Sequence, residues 1–430
     1  METVEARRRL FSEQVLRLAA FSLDYLHRHR GDLEALDRQR DNLLQAMVAC
    51  GEYAGDWPRA ARIALALEDY MLRQGRWRSW AAYLERIAEA LTRQESSALR
   101  GHVLRCLGNA YCGSGQWEQA LQVHRRALEA FRRGREARGI AAAWFDLGRV
   151  HWFRGEWREA LRCYRRAAAW ARRLPDGATL MAQVWNAVGL VRWRQGKWRR
   201  AVHCFRQALR LCPDTPDYSR SRGRFFSHLA LPLTDLGSWD EAERCYREAL
   251  RLSRAAGDIT GLAYTWGDLS DLYRRQCRWE EAWQCLERAA ALWEQAEDTA
   301  GRADYAEHRG RLYADQGEIA QARDWLGQAL DLWEGLGNPH KVLDILLTLA
   351  ELEARQGMGE AASQRIAWAH PLARRLRRCD ALVRLYRLRM AMARAAGHPL
   401  RTAWYGLRVV GCVLLAIGND RTRAVLRAEG

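Results

Sequence analysis

The chain is 430 residues long, 49% apolar and 28% charged with only 8 prolines, a composition that excludes a disordered or collagen-like protein and allows a large buried core. Its formal charge of +17 permits a polyanionic partner, while 11 cysteines without a C-x-x-C pair argue against a disulfide framework or zinc ribbon and fit a reducing cytoplasm. No run of about 18 apolar residues occurs and no apolar stretch follows the N-terminal Glu-Ala-Arg-Arg-Arg-Leu, so neither a membrane span nor a signal peptide is expected.

The charge is unevenly spread. Residues 100–224 carry about +17, residues 257–359 about −9, and the stretch from Glu360 onward about +10. Only Lys197 and Lys341 are lysines, so base composition can account for the arginine bias as readily as a binding role can.

In chain order, residues 1–98 read as helical but off any period. Gly55, Trp57 and Ala60 suggest one degenerate hairpin, and Gly75, Trp77, Leu84 and Ile87 a second, which together predict an N-terminal cap.

From residue 99 to 369 a repeat sets in. Gly115, Gly155, Gly196, Gly237, Gly317, Gly357 and Gly397 fall 40 or 41 residues apart, with Cys277 in the one vacant place. Two residues after each turn stands Trp117, Trp157, Trp198, Trp239 or Trp279, with Ile319 next in line. Three further on stands an alanine, from Ala120 to Ala362. Four beyond that is a bulky position, His124, Tyr164, Phe205, Tyr246, Leu286, Leu326 and Ile366, followed by a second alanine from Ala127 to Ala369. Spacings of three and four define one helical face. Seven residues before each turn another small position, Gly108, Gly148, Gly189, Ala230, Ser270, Gly310 and Ala350, marks a preceding helix. Each unit therefore reads as helix A, a turn and helix B, about seven times over.

The set Leu107-Gly108, Tyr111, Gly115, Trp117, Ala120 and Ala127 resembles the tetratricopeptide repeat, lengthened here from the usual 34 residues to 40 or 41. The resemblance implies an all-α, right-handed superhelical solenoid of antiparallel hairpins, whose A helices line a concave face that binds peptides or protein segments. Within residues 33–57, Leu36-Asp37, Asp41-Asn42-Leu43-Leu44 and Ala46 look like the helix that introduces the repeat sensor of bacterial signal-transduction ATPases and transcriptional regulators. No G-x-x-x-x-G-K-[ST] loop accompanies it, so no nucleotide cofactor is expected.

Catalytic and metal motifs are missing from the sequence. The 11 histidines form no H-E-x-x-H pair and no G-x-S-x-G turn appears, so neither catalytic residues nor a metal site nor any cofactor is expected. Cys163, Cys204, Cys245 and Cys285 share one repeat position, but equivalent helices lie on the order of 10 Å or more apart, too far for a disulfide or a shared metal. They read as small buried thiols, and the Trp series reads as core.

The A-helix positions three before, one after and four after the small residue should face the concavity. They are Arg105, Asn109, Phe145, Arg149, Trp152, Asn186 and Trp193, then Asp271, Arg274, Glu307, Arg311, Leu347 and Glu351. Arg and Trp supply binding hot spots, and Asn can bond a peptide backbone. A clamp for a carboxyl-terminal tail, known in this family, fails on Asp146 and Ala187. Pro232, inside a helix A, predicts a kink, and with the loop from Cys212 to Arg222 a hinge. Residues 370–430, where the register fades, should form an irregular C-terminal cap that includes the apolar run from Val409 to Ile417.

The expectation is a cytoplasmic, non-catalytic scaffold or sensor that holds a protein or peptide segment in the groove, with no membrane partner. Its basic half would take acidic residues and its acidic half basic ones. The alternatives are a nucleic-acid-binding solenoid that uses the Arg-rich repeats, and a receptor for a short signalling peptide.

Overall fold

A computed structural model describes residues 2–29, 32–73, 77–93, 97–296, 298–376 and 378–415. Among them are twenty α-helices, two short 3₁₀ turns and no strand. The helices are α1 (Glu2–Arg28), α2 (Leu33–Glu52), α3 (Trp57–Arg73), α4 (Trp77–Ala90), α5 (Ser97–Gly113), α6 (Trp117–Arg133), α7 (Ala137–Phe153), α8 (Trp157–Ala171), α9 (Ala178–Arg194) and α10 (Trp198–Leu211). Then come α11 (Ser219–Asp235), α12 (Trp239–Ala255), α13 (Ile259–Arg275), α14 (Trp279–Gln295), α15 (Thr299–Gln316), α16 (Ile319–Gly335), α17 (Pro339–Arg355), α18 (Gly359–Arg375), α19 (Cys379–Ala395) and α20 (Pro399–Leu415). From α5 onward, odd-numbered helices are A helices and even-numbered ones B helices.

The turn within each hairpin explains the glycine series. Gly115, Gly155, Gly196, Gly237, Gly317, Gly357 and Gly397 all have φ between 70 and 85°, the left-handed region that ends a helix without steric penalty only for glycine. Cys277 takes the same conformation at φ 58°, so the substitution keeps the turn and strains it. The next amide closes the motif, as Gln116 N–H donates to Tyr111 O at 2.9 Å and Arg278 N–H to Tyr273 O at 2.9 Å. Between hairpins, Asp258, Asp298 and Asn338 cap the next A helix by accepting from Gly261, Gly301 and Lys341 N–H.

The small upstream position and the bulky position belong together. A Cβ on Gly108 would run into His124 Cε1, and one on Gly148 would lie 2.5 Å from Tyr164 Cε1. The side chain of helix B lies directly on the backbone of helix A, so only a residue without a side chain fits there. His124 is wholly buried in this place, and burial pushes its imidazole down to about 4, so it stays neutral. The expected thiols are buried: Cys163, Cys204, Cys245 and Cys285 all lie in the core. In the Trp series Trp157 and Trp198 are buried, while Trp117, Trp239 and Trp279 are half-buried against core clusters.

The chain divides into two compact units, Met1–His151 with Arg162–Gly177, and Trp152–Leu161 with Ala178–Gly430. In unit 1, α1, α2 and α3 pack on one another and α3 also packs on α4 and α5. Gly55 makes the expected turn between α2 and α3. Gly75 lies outside the described residues, as does the Trp77 side chain, but Leu84 and Ile87 of α4 are buried as the cap requires. In unit 2, consecutive A helices pack together, α9 on α11, α11 on α13, α13 on α15 and α17 on α19, and so form one shared A-face.

Two expectations change. The stretch read as an irregular C-terminal cap holds a regular hairpin, α19 on α20, because Gly397 keeps the turn. Pro399 and Thr402 occupy the Trp and Ala positions, which is why the register fades in the sequence. Ile417, the end of the apolar run, lies outside the described residues. Helix α11 runs unbroken through Pro232, which sits in its last turn. The preceding loop is pinned rather than free, since Arg222 donates to Cys212 O at 3.0 Å and lies 3.1 Å from Asp214.

Candidate functional site

The A-helix residues singled out from the sequence lie on A helices of the two units, and within each unit they are engaged with the chain's own side chains. Asx, Arg and Trp side chains reach one hairpin along, to partners 40 to 42 residues away.

In unit 1, Arg105 Nε donates to Asp146 Oδ2 at 2.7 Å, and Arg149 lies 3.6 Å from the same carboxylate. Asp146 is 2% exposed; although burial opposes ionisation, the charges of Arg105 and then Arg149 hold its carboxyl below the usual range. This is the physical reason that Asp146 spoils a carboxylate clamp, since the anion that Arg105 would grip is already supplied. Asn109 Nδ2 donates to Glu68 Oε1 at 2.8 Å, which leaves Asn109 Oδ1 buried without a hydrogen bond. Phe145 packs on Tyr164.

In unit 2, Asn186 Oδ1 lies 2.9 Å from His228 Nδ1, and burial pushes the His228 imidazole down to about 3. Trp193 Nε1 donates to Asp235 Oδ2 at 2.6 Å, and Asp235 also accepts from Arg275 at 2.9 Å. Asp271 accepts from Arg274 and Arg275, each at 2.8 Å, and Arg274 reaches on to Asp315. Against the pull of burial, Arg275, Arg274 and Arg311 hold Asp271 well below the carboxylate range. Glu307, 1% exposed, pairs with Arg311 at 2.6 Å and accepts from Lys341 at 2.9 Å, and Lys341 also donates to Asp304 at 2.6 Å. Glu351 takes Arg384 at 2.7 Å. Leu347 is core, at 1% exposure. Trp152 is half-buried on Phe153, with its indole N–H buried and unbonded.

Sequence reasoning missed the other half of this lattice: Asp146, Asp235, Asp304, Lys341, Asp344 and Arg378. The signal was available, because donors and acceptors complement one another one hairpin apart, at 40 to 42 residues for Asp146 and Asp235 and at 34 to 37 for Lys341 with Asp304 and Glu307 and for Arg378 with Asp344, rather than at the local spacing of three or four. Asp268 was also missed. It makes no hydrogen bond or ion pair among the described residues, and burial followed by the charge of Asp304 pushes its carboxyl up to about 8. On α15, His308 is 9% exposed with Nδ1 unbonded.

The A-face of unit 2 also closes on itself. Arg194, at the end of α9, lies 4.0 Å from Asp344 on α17, four hairpins further along. Trp157 stacks on His340 at 5.1 Å between ring centres and an interplanar angle of 17°, and His340 Nε2 sits where a Gly155 side chain would go. Among the described residues there is no group of three His, Cys, Asp or Glu able to hold a metal, and no helix is long and apolar enough to cross a membrane.

Comparison with known proteins agrees with this geometry. The fold is similar to that of a Rap protein complexed with competence and sporulation factor, at 13% identity over 83% of this chain and 98% of that one, with a TM-score of 0.62. It is also similar to the Rap conjugation gene regulator of plasmid pLS20 in complex with the Phr* peptide (17% identity, 75% and 96% covered, TM-score 0.54). A third likeness is to the apo form of the quorum sensor NprR from B. thuringiensis (14% identity, 84% and 99% covered, TM-score 0.53). At these identities the likeness is one of fold. No curated protein sequence matches. A tetratricopeptide repeat model matches residues 99–173, 139–214 and 221–295, and a second tetratricopeptide repeat model matches residues 302–336. The two models together cover more than half of the sequence, in the same register as the turns, the small positions and the bulky side chains that lie on them, and the chain belongs to the tetratricopeptide repeat family.

Proposed function

We propose that this protein is a non-catalytic receptor, in bacterial signalling inside the cell, that holds a short peptide or an extended segment of a partner protein on its A-face. One observation carries the reading. The A helices keep buried polar groups without partners, the Trp152 indole N–H and His308 Nδ1 within unit 2 and, separately, the Asn109 carbonyl oxygen within unit 1. A peptide backbone brings one donor and one acceptor per residue and can meet such demands. The likeness of fold to proteins described with a bound factor or peptide supports the same reading. The eleven cysteines, none in a disulfide, suit a reducing compartment.

The lattice changes how recognition should work. Acidic side chains in unit 2 are largely neutralised from within, so a partner competes with internal arginines instead of meeting bare charge. It must also part Arg194 from Asp344. The test is a panel of peptides of about 10 residues, screened on an array and measured by calorimetry. Arg149→Ala with Trp152→Ala should weaken a true ligand by about 2–4 kcal/mol, roughly 30- to 1,000-fold, while circular dichroism stays unchanged. If no peptide binds more tightly than millimolar, or if binding is indifferent to this pair and to Arg311→Ala, the proposal fails.

A further inference from the structure

The B helices of unit 1 carry a surface that the A-face does not use. On α6, arginines stand in pairs at Arg125–Arg126 and Arg132–Arg133, and 40 residues later they recur as Arg165–Arg166 on α8 and Arg172–Arg173 in the turn just after it. All eight are exposed. Seven residues separate the pairs in each hairpin, about 10 Å of rise along α6, so two neighbouring hairpins repeat the same order of positive charge.

The grid lacks counter-charge. None of the eight forms an ion pair among the described residues, whereas most arginines of the unit 2 A-face are matched to carboxylates. Glu129 is the one acid between the two pairs on α6. Beneath them Arg100 is half-buried with Nε unbonded, and burial followed by the charges of Arg126 and Arg133 lowers its hold on its proton. The patch is therefore repulsive as it stands, and an anion would relieve it.

Part of the grid is already positioned. The guanidinium carbons of Arg132 and Arg166 lie 5.8 and 4.5 Å from the centre of the Trp144 ring. Stacking of this kind orders a guanidinium while its in-plane N–H groups remain free for oxygen atoms. Trp144 on α7 thus holds one arginine from each row.

We propose that this grid binds the phosphate backbone of duplex nucleic acid without reading its sequence. Two features choose this partner over others. A protein partner would need apolar anchors at the centre of the contact, and none of the large apolar side chains exposed among the described residues lies on α5 to α8. A single strand would need bare aromatic faces on which to stack its bases, yet Trp144 is occupied by Arg132 and Arg166, and Trp170 by Arg173 at 5.2 Å. What is left free is guanidinium, which matches phosphate oxygens in pairs.

The test is fluorescence anisotropy of the full chain with a labelled 20-base-pair DNA duplex across a salt series. Competitors are unlabelled duplex, oligo-dT of equal length and polyglutamate. Six to eight phosphate contacts make affinity fall roughly 10³- to 10⁴-fold between 50 and 200 mM salt. Arg126→Gln, Arg133→Gln, Arg166→Gln and Arg173→Gln together should about halve the slope of log affinity against log salt. The control Arg394→Gln with Arg401→Gln should leave the slope unchanged, with both variants checked for folding by circular dichroism. The proposal is overturned if the quadruple variant binds duplex as the native chain does, if affinity is flat with salt, or if oligo-dT or polyglutamate binds more tightly than duplex.

Discussion

Replacing Asp268 with asparagine should make this protein more stable at neutral pH, an unusual result for a half-buried acid. Burial and the neighbouring Asp304 push the Asp268 carboxyl up to about 8, and Lys341, the nearest relief, is already bonded to Asp304 and Glu307. Folding therefore favours the protonated acid. The stability this acid contributes is fully present below the ordinary carboxylic range near 4 and is lost progressively as pH rises towards 8. At pH 7 the full displacement corresponds to a penalty of ~4 kcal/mol. Asp268 is only half-buried, so solvent screening reduces this to ~1–2 kcal/mol. Asparagine keeps the shape and removes the charge. Urea unfolding of Asp268→Asn against the native chain should show that gain at pH 7, and a thermal midpoint a few degrees higher. At pH 4, where the native acid is protonated, the two proteins should coincide. A variant that is less stable at pH 7, or equally stabilised at both pH values, would refute the account of this face.

Three further outcomes follow from the packing. Lys341→Met leaves Glu307 with Arg311 alone and Asp304 without its cation, and should lose ~3–5 kcal/mol by urea denaturation, an effect absent if the pairs were solvent-exposed decoration. Gly108→Ala drives a methyl into His124 and should lose ~1–3 kcal/mol; adding His124→Ala should return part of that loss, whereas simple additivity would show that the two do not touch. Cys277→Gly should gain ~0.5–1 kcal/mol, because the left-handed turn is strained with any side chain, and a loss would mean that the thiol has a role in the turn.

The hairpins were legible in the sequence because they rest on local geometry repeated many times. A left-handed turn selects glycine, and a backbone lying against a ring selects a residue without a side chain, so Gly115 with Trp117 or Gly108 with His124 leave a mark at fixed spacing. Cys277 could be placed by that spacing although its chemistry is wrong for the turn. The face was legible in position but not in state. Arg105, Trp193 and Arg274 were expected to await a ligand, because a helical wheel shows where a side chain points and not what stands one hairpin away. Their partners Asp146, Asp235 and Asp315 lie 41 or 42 residues on, beyond any local pattern. The last hairpin was missed for the opposite reason: its turn is intact at Gly397, but the side chains by which repeats are recognised have been replaced.

The pairs that join successive A helices are not all alike: arginine to aspartate from α5 to α7 and again from α13 to α15, but asparagine to histidine and tryptophan to aspartate from α9 to α11. An A helix thus does not find its complement on every other A helix. Excising α7 and α8 would preserve every turn and every core position and still bring Arg105 against Ala187, where no anion waits. Arrays of identical repeats can grow or shrink by whole units, but in this chain the order of the hairpins is itself encoded, and gain or loss of one would need several compensating substitutions before the face was whole again.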